Sequence, residues 1–313
     1  MKCNITGCRR YKPNSNICIC TNCYSKETER IRNGDKNNEY LSCYGKCEIG
    51  PLDKCNTCGN NIGECGTCND RYILNSDKKC VPDYQLFVKY KTTYNNEYVK
   101  LFKSVSILNM KINGTSINNP LYYHTFALPG EHLIYVQFYR YPGFGDFFDG
   151  ITHVTYIEFL PKAKEFNIFY MNDCFRNCIN LEFVNLSNLN LRNAECFMNL
   201  FQNDKKLKEV IFPRESFNNV YFYYNMFYGC ESLTSIDMSN IQNTYGLYYY
   251  QMFYGCINLK YINLGGFYKY YSGTEKNNMF DYVPKDAKII IHQNFYNSIS
   301  DQLDSFTNKT IIY

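Results

Sequence analysis

The chain lacks tryptophan, and nowhere does it hold the roughly 18 consecutive apolar residues that a bilayer-spanning helix needs. A transmembrane helix is therefore not expected. Charge of one sign is also missing: 33 basic and 29 acidic side chains nearly cancel, leaving a net +4 without long single-sign runs. That balance gives no electrostatic footprint for nucleic acid. The four histidines, at 124, 132, 153 and 292, share no metal-ligand spacing such as H-E-x-x-H. There is no P-loop, no G-x-S-x-G and no paired-carboxylate motif. Neither an enzyme nor a cofactor is expected. The opening residues, MKCNITGCRR, lack the apolar stretch of a secretory signal.

What is present divides into two materials. Twelve of the 17 cysteines fall in the first eighty residues: Cys3, Cys8, Cys18, Cys20, Cys23, Cys43, Cys47, Cys55, Cys58, Cys65, Cys68 and Cys80. Between them lie Gly, Asn, Lys and Thr with almost no aliphatic clusters, so this head must be stapled by disulfides or by metal. The CxxC pairs 20/23, 55/58 and 65/68 would suit zinc, but the head has no histidine, and only six residues separate Cys58 from Cys65. Zinc ribbons usually place about fifteen to twenty there. The stretch CNTCGNNIGECGTCNDRYILNSDKKC resembles the EGF-like and furin-like cysteine-rich repeats of extracellular proteins, over about residues 43–80. Connectivity cannot be read from spacing. A disulfide head requires an oxidising compartment. Without a signal in hand, the expectation is a piece of a longer exported chain or a non-standard export route.

The remainder repeats. Phe148, Phe175, Phe201, Phe227, Phe253 and Phe280 follow one another at intervals of 27, 26, 26, 26 and 27. Six positions after each of the first five stand Val154, Leu181, Leu207, Leu233 and Leu259, with Asp286 breaking the column in the last unit. Nine positions on are Ile157, Val184, Val210, Ile236, Ile262 and Ile289; eleven on are Phe159, Leu186, Phe212, Met238, Leu264 and Ile291. A period of about 20–29 residues with L-x-x-I-x-L spacing is the leucine-rich-repeat pattern. Ile236 and Met238, two apart, point inward from a short strand while Ser235 and Asp237 point outward. Each unit buries its apolar face only by stacking on its neighbours. The phrase MFYGCESLTSIDMSN, nearly repeated as MFYGCINLKYINLGG, resembles the BspA-like leucine-rich repeats of surface proteins, and this resemblance implies adhesion. The Phe201 unit departs most, with Asp204 where cysteine is usual and Pro213 at the strand's end; irregularity is expected there.

The expected fold is an α/β-type solenoid rich in β, a leucine-rich repeat with one parallel sheet. The expected divisions are a cysteine-rich region at 1–82, a β-type N-terminal cap at 83–142, repeats at 143–291 and a C-terminal helical cap at 292–313. In the cap, Ile134, Val136 and Phe138 alternate as a half-buried strand. At the other end Phe295, Ile299, Leu303 and Phe306 have near-helical spacing.

Binding on such solenoids uses the outward strand positions. Here these are Tyr156, Phe183, Glu209, Ser235 and Tyr261, with Glu158, Asn185, Ile211, Asp237 and Asn263 beside them. The mixed surface suits a protein or glycan ligand rather than an anionic polymer. Cys178, Cys230 and Cys256 recur at the same repeat position, as small buried fillers do. Cys174 and Cys196 fall outside that column, flanked only by Asp173 and Glu195 as bases. The tyrosine clusters at 221–224 and 248–250 are either wall packing or an exposed aromatic patch. Asn4, Asn113, Asn185 and Asn308 open N-x-S/T sequons. The leading expectation is a non-catalytic secreted or cell-surface interaction protein, with no assignment of oligomeric state. The alternative is an intracellular adaptor with a zinc-bound head and a partner-recruiting solenoid.

Overall fold

The fold is that of a computed structural model, which describes residues 8–11, 18–20, 55–58, 65–68, 72–74, 80–103, 107–117, 120–138, 143–215, 219–242, 246–267 and 276–313. Of the residues singled out above, Cys3, Cys23, Cys43, Cys47 and Asn4 lie outside that set. The chain forms two compact units, Met1–Asp83 and Tyr84–Tyr313.

Among the described residues the first unit shows three short antiparallel pairs: β1 (Cys8–Tyr11) with β2 (Cys18–Cys20), β3 (Cys55–Cys58) with β4 (Cys65–Cys68), and β5 (Tyr72–Leu74) with β6 (Cys80–Pro82). A disulfide joins Cys68 to Cys80, and Tyr72 and Leu74 pack against it. Strand register sets Cys55 opposite Cys68, yet the bond goes to Cys80, so register alone would have misassigned it.

The second unit begins with six strands: β7 (Leu86–Thr92), β8 (Glu97–Lys100), β9 (Ile107–Ile112), β10 (Thr115–Ile117), β11 (Tyr123–Phe126) and β12 (Gly130–Phe138). Ile134, Val136 and Phe138 are buried on β12, as their alternation predicts. Asn113 and Gly114 turn β9 into β10 with φ of +48° and +86°. Positive φ at both central residues is the backbone a tight hairpin demands, and Asn-Gly supplies it at little cost. The cap and the solenoid share a sheet, because β7 pairs antiparallel with β13 (Val154–Phe159).

From β13 the strands run parallel, one per coil. β14 (Phe183–Asn185) and β15 (Glu209–Ile211) continue the first sheet. β16 (Ser235–Asp237), β17 (Tyr261–Leu264) and β18 (Lys288–His292) form a second. Helix α1 (Gln293–Leu303) follows, burying Phe295, Ile299 and Leu303, and its first turn is capped by His292 Nδ1 accepting from the Asn294 N–H at 3.2 Å. The chain does not stop at the helix. β19 (Asn308–Ile312) adds a further parallel strand beside β18, where the sequence reading placed only a helical cap.

A ladder of six rings runs through the interior. Phe148, Phe175, Phe201, Phe227, Phe253 and Phe280 stack with centroids 5.8, 5.2, 5.3, 5.6 and 5.5 Å apart. This one-coil spacing holds because residues two before and two after each Phe take left-handed backbone. The first set is Asp146, Asp173, Asn199, Asn225, Gln251 and Asn278; the second is Gly150, Asn177, Asn203, Gly229, Gly255 and Tyr282. Left-handed residues on either side of the Phe keep alternate N–H groups aimed along the axis. In the first five coils, all three such N–H groups donate to the next coil at 2.7 to 3.1 Å. Side-chain amides add a second ladder: Asn225 Nδ2 to Asn199 Oδ1, Asn199 Nδ2 to Asp173 Oδ1 and Asn203 Nδ2 to Asn177 Oδ1, each at 3.0 Å.

The one parallel sheet expected from the repeat is interrupted. β15 and β16 are not hydrogen-bonded neighbours, so the parallel strands divide between two sheets. Three coils close their strands with the same turn: Asn185, Asp237 and Asn263 accept, through Oδ1, the N–H of Ser187, Ser239 and Gly265 at 2.9, 2.9 and 3.0 Å. In the Phe201 coil those two positions are Ile211 and Pro213. An isoleucine has no acceptor and proline has no N–H, so the turn cannot form. Val210 and Phe212 retain 8% and 6% exposure, whereas their counterparts Val184 and Leu186 retain none.

Candidate functional site

The outward ladder stands where the repeat places it. Ile157, Val184, Val210, Ile236 and Ile262 face the core, while Tyr156, Phe183, Glu209, Ser235 and Tyr261 reach solvent. Register brings Tyr156, Phe183 and Glu209 into one row and Ser235 and Tyr261 into another, on either side of the β15–β16 break.

The second outward column is partly occupied with its own backbone. Asn185, Asp237 and Asn263 spend an oxygen on the strand-closing turn described above. Glu158 accepts from Tyr156 Oη at 3.0 Å and from Asn185 Nδ2 at 3.4 Å, so these side chains hold one another across two strands. Burial, and then this acceptor, push the Tyr156 phenol up to about 12, and it remains a donor at neutral pH.

Sequence reasoning missed the other half of this surface. Tyr84, Tyr135 and Phe87 on the cap continue the row of half-exposed rings: Tyr84 to Tyr135 at 5.6 Å, Tyr135 to Phe87 at 4.7 Å, Phe87 to Tyr156 at 5.7 Å and Tyr156 to Phe183 at 4.6 Å. Lys89 lies over Tyr156 at 5.4 Å from the ring centroid and pairs with Glu131 at 3.3 Å. Five aromatic rings thus cross from the cap onto the first two coils. The signal was the alternation in LFVKYKT, whose inward Leu86, Val88 and Tyr90 leave Phe87 and Lys89 outward. Only the antiparallel pairing of β7 with β13 places them beside the repeats.

The tyrosine clusters split between the two readings offered for them. Tyr223 and Tyr249 are fully buried and stack at 5.4 Å, while Phe222 and Tyr250 are exposed. Tyr228 and Tyr254 stack on the outside at 4.8 Å.

Solenoid cysteines are all free and buried. Cys178, Cys230 and Cys256 donate Sγ–H to the carbonyls of Phe148, Phe201 and Phe227, each at 3.1 Å. Burial pushes the Cys174 and Cys196 thiols up, away from the thiolate that nucleophilic chemistry needs. Histidine serves structure. Asn113 Nδ2 faces His132 Nδ1 at 2.9 Å, which leaves the ring proton on Nε2, 2.9 Å from Thr92 Oγ1. His153 Nε2 meets Glu97 at 2.8 Å, and Glu97 also accepts the N–H groups of Thr93 and Tyr94. Among the described residues no group of three or more His, Cys, Asp or Glu side chains could hold a metal ion.

Two sequons carry structural side chains. The Asn113 amide bridges His132 and the Leu133 N–H, and Asn185 is tied at both ends of its amide; Asn308 stands exposed on β19. No helix among the described residues is long and apolar enough to cross a membrane. The chain matches no protein-family model, no curated protein and no solved structure.

Proposed function

We propose that the chain is a non-catalytic interaction protein of the cell exterior, a BspA-like leucine-rich solenoid behind an EGF/furin-like disulfide head, binding a protein or glycan ligand. The observation that carries this reading is the row Tyr84–Tyr135–Phe87–Tyr156–Phe183, five half-exposed rings, four of them fixed on paired strands and Tyr84 just before β7. Rigid aromatic side chains on a scaffold bring large contact area at low entropic cost. Binding proteins use such groups, and here the cross-strand ring pairs also steady the sheet that presents them. The Cys68–Cys80 bond supports the extracellular half of the reading.

The test has two arms. Thiol alkylation of the denatured, unreduced protein, read by mass spectrometry, should label the five solenoid cysteines and leave the twelve of the head blocked. Labelling of all 17 together with stoichiometric zinc would establish the intracellular adaptor instead. For the face itself, wild type and the Tyr156→Ala/Phe183→Ala variant are compared on a glycan array and on an array of immobilised extracellular-matrix proteins. A loss of roughly tenfold or more in affinity is expected. Unaltered binding would remove this face from the proposal.

A further inference from the structure

The Phe201 coil differs from its neighbours on two walls at once. On one, Asp204 occupies the position where Cys178, Cys230 and Cys256 each give a thiol proton to a carbonyl of the preceding coils. Its carboxyl group is fully buried. Oδ1 accepts the Cys178 N–H at 2.8 Å, and Oδ2 meets no partner. The titratable groups around it are the Cys174 and Cys178 thiols of the coil before, the Cys230 thiol of the coil after, and Asp149 two coils back. Among the described residues no cation offsets a charge there: Arg176 and Lys103 are engaged with Asp149. Burial favours the neutral acid, the Cys178 N–H opposes it, and the Asp149 charge again favours it.

On the other wall the same coil lacks the strand-closing turn that Asn185, Asp237 and Asn263 make in theirs. The seam between β15 and β16 has no ladder, and the apolar residues beside it are the least sealed of their columns. Opposite the seam the coils stay joined. Asn199, Phe201 and Asn203 donate their N–H groups to Tyr224, Met226 and Tyr228 at 3.1, 2.9 and 2.7 Å. Asp204 opens the turn that leads to β15, since its carbonyl accepts the Leu207 N–H at 3.0 Å and the strand begins two residues later. A carboxylate formed at this site must be solvated, and the unpaired seam is the weakest barrier to water.

We propose that Asp204 is a pH-operated latch on a hinge: as the neutral acid it lets the Phe201 coil close, and its ionisation opens the solenoid between β15 and β16 about the joined Phe wall. The opening separates the row containing Tyr156 and Phe183 from the row containing Ser235 and Tyr261. This inference stands apart from the proposed function, because it concerns how the ladder is held and not what it binds.

A carboxyl whose proton is held more tightly in the closed state stabilises that state fully at low pH. The contribution is lost as pH rises from the exposed carboxyl's value, about 4, towards the buried one. The experiment compares the full chain with Asp204→Asn and with Asp204→Cys, which restores the side chain of neighbouring coils. Urea unfolding and hydrogen exchange are followed from pH 4 to 8. The ratio of the wild-type unfolding constant to the variant's should rise up to about tenfold per pH unit across the lower part of this range. The exchange ratio at 209–211 and 235–237 should rise with it, intrinsic exchange and all other carboxylates cancelling between the proteins. A ratio flat from pH 4 to 8, or excess exchange spread evenly over all coils, would overturn the proposal. Either variant that folds serves as comparator.

Discussion

At the scale of single residues, the columns that set the repeat are the two that flank the phenylalanine. Asp, Asn, Gln, Gly and Tyr all occur there, and what they share is a φ between +51° and +74°. A common backbone sign leaves no common letter, so periodicity revealed the Phe, Leu and Ile columns and left the two flanking columns unmarked. Asn203 shows what the columns do, with φ of +63° and an amide bonded to Asn177 at 3.0 Å. Asn203→Val should cost about 2 kcal/mol or more in chemical denaturation, because a β-branched side chain is strained at that φ. Asn203→Gly, which relaxes the backbone and loses only the amide bond, should cost under about 1 kcal/mol. Asp149 gives a second residue-scale prediction. It is 9% exposed, bound by Arg176 at 2.9 Å and Lys103 at 2.5 Å. Burial alone would raise its pKa, but the Arg176 and Lys103 contacts outweigh it and hold the carboxyl below its ordinary value. A lowered folded-state pKa contributes stability above the unfolded value of about 3.9 that is lost as pH falls through the folded one. Asp149→Asn should therefore destabilise by about 2 kcal/mol at pH 7, less than a fully buried pair because both cations are about a third exposed. The difference should shrink below pH 4 in matched urea titrations.

At the scale of elements, the parallel ladder breaks after the one central coil that cannot close its turn, although the end coils, with Glu158 and Leu160 or Ile290 and His292 at those positions, still pair their strands. The sequence showed the irregular coil through Asp204 and Pro213, yet not the consequence, because the strand-closing turn depends on a side-chain oxygen and an N–H two residues apart that no hydrophobic column reports. Supplying both should repair the seam. The variant Ile211→Asn with Pro213→Ser is expected to raise amide protection at 209–211 and 235–237 and to gain roughly 1 kcal/mol, the net worth of a hydrogen bond. Unchanged exchange at those strands would show that the turn does not govern pairing. A glycine makes the complementary point. A Cβ on Gly266 would run into the backbone carbonyls of Ser239 and Ile241 in the coil before, atoms that cannot swing aside. Gly266→Ala should then cost about 2 kcal/mol or more by overpacking, read as a lower urea midpoint at unchanged slope. β19 escaped prediction for a different reason: NKTII is short and half-exposed, and its strand character comes from the free edge of β18.

At the scale of the whole Tyr84–Tyr313 unit, one continuous hydrophobic core runs from Leu86 in the cap to Phe306 beyond the helix. That continuity was legible in the repeat, since no coil can bury its own face. Its ends were legible only in part: the cap strand and the terminal helix showed in their own spacing, while β19 did not, because caps answer to the last coil and not to the period. In a stack of this kind, each coil is stabilised mainly by its neighbours, so damage at one end should travel only as far as the neighbour terms fail to hold. Removing residues 293–313 tests this. The truncation deletes Phe295, Ile299, Leu303 and Phe306, and burial of such side chains is worth about 1.5–3 kcal/mol each. It also uncovers Tyr249 and Phe267, which pack on Phe295 at 5.1 and 5.6 Å, and Phe280, 5.7 Å from Phe306. Hydrogen exchange should then show β18 and β17 unprotected, β16 partly so, and β7, β12 and β13 as slow as in the intact chain. A uniform loss of protection from β7 to β18 would mean that the coils fold only as a single cooperative block. In that case the break between β15 and β16 could not act as a boundary within the solenoid.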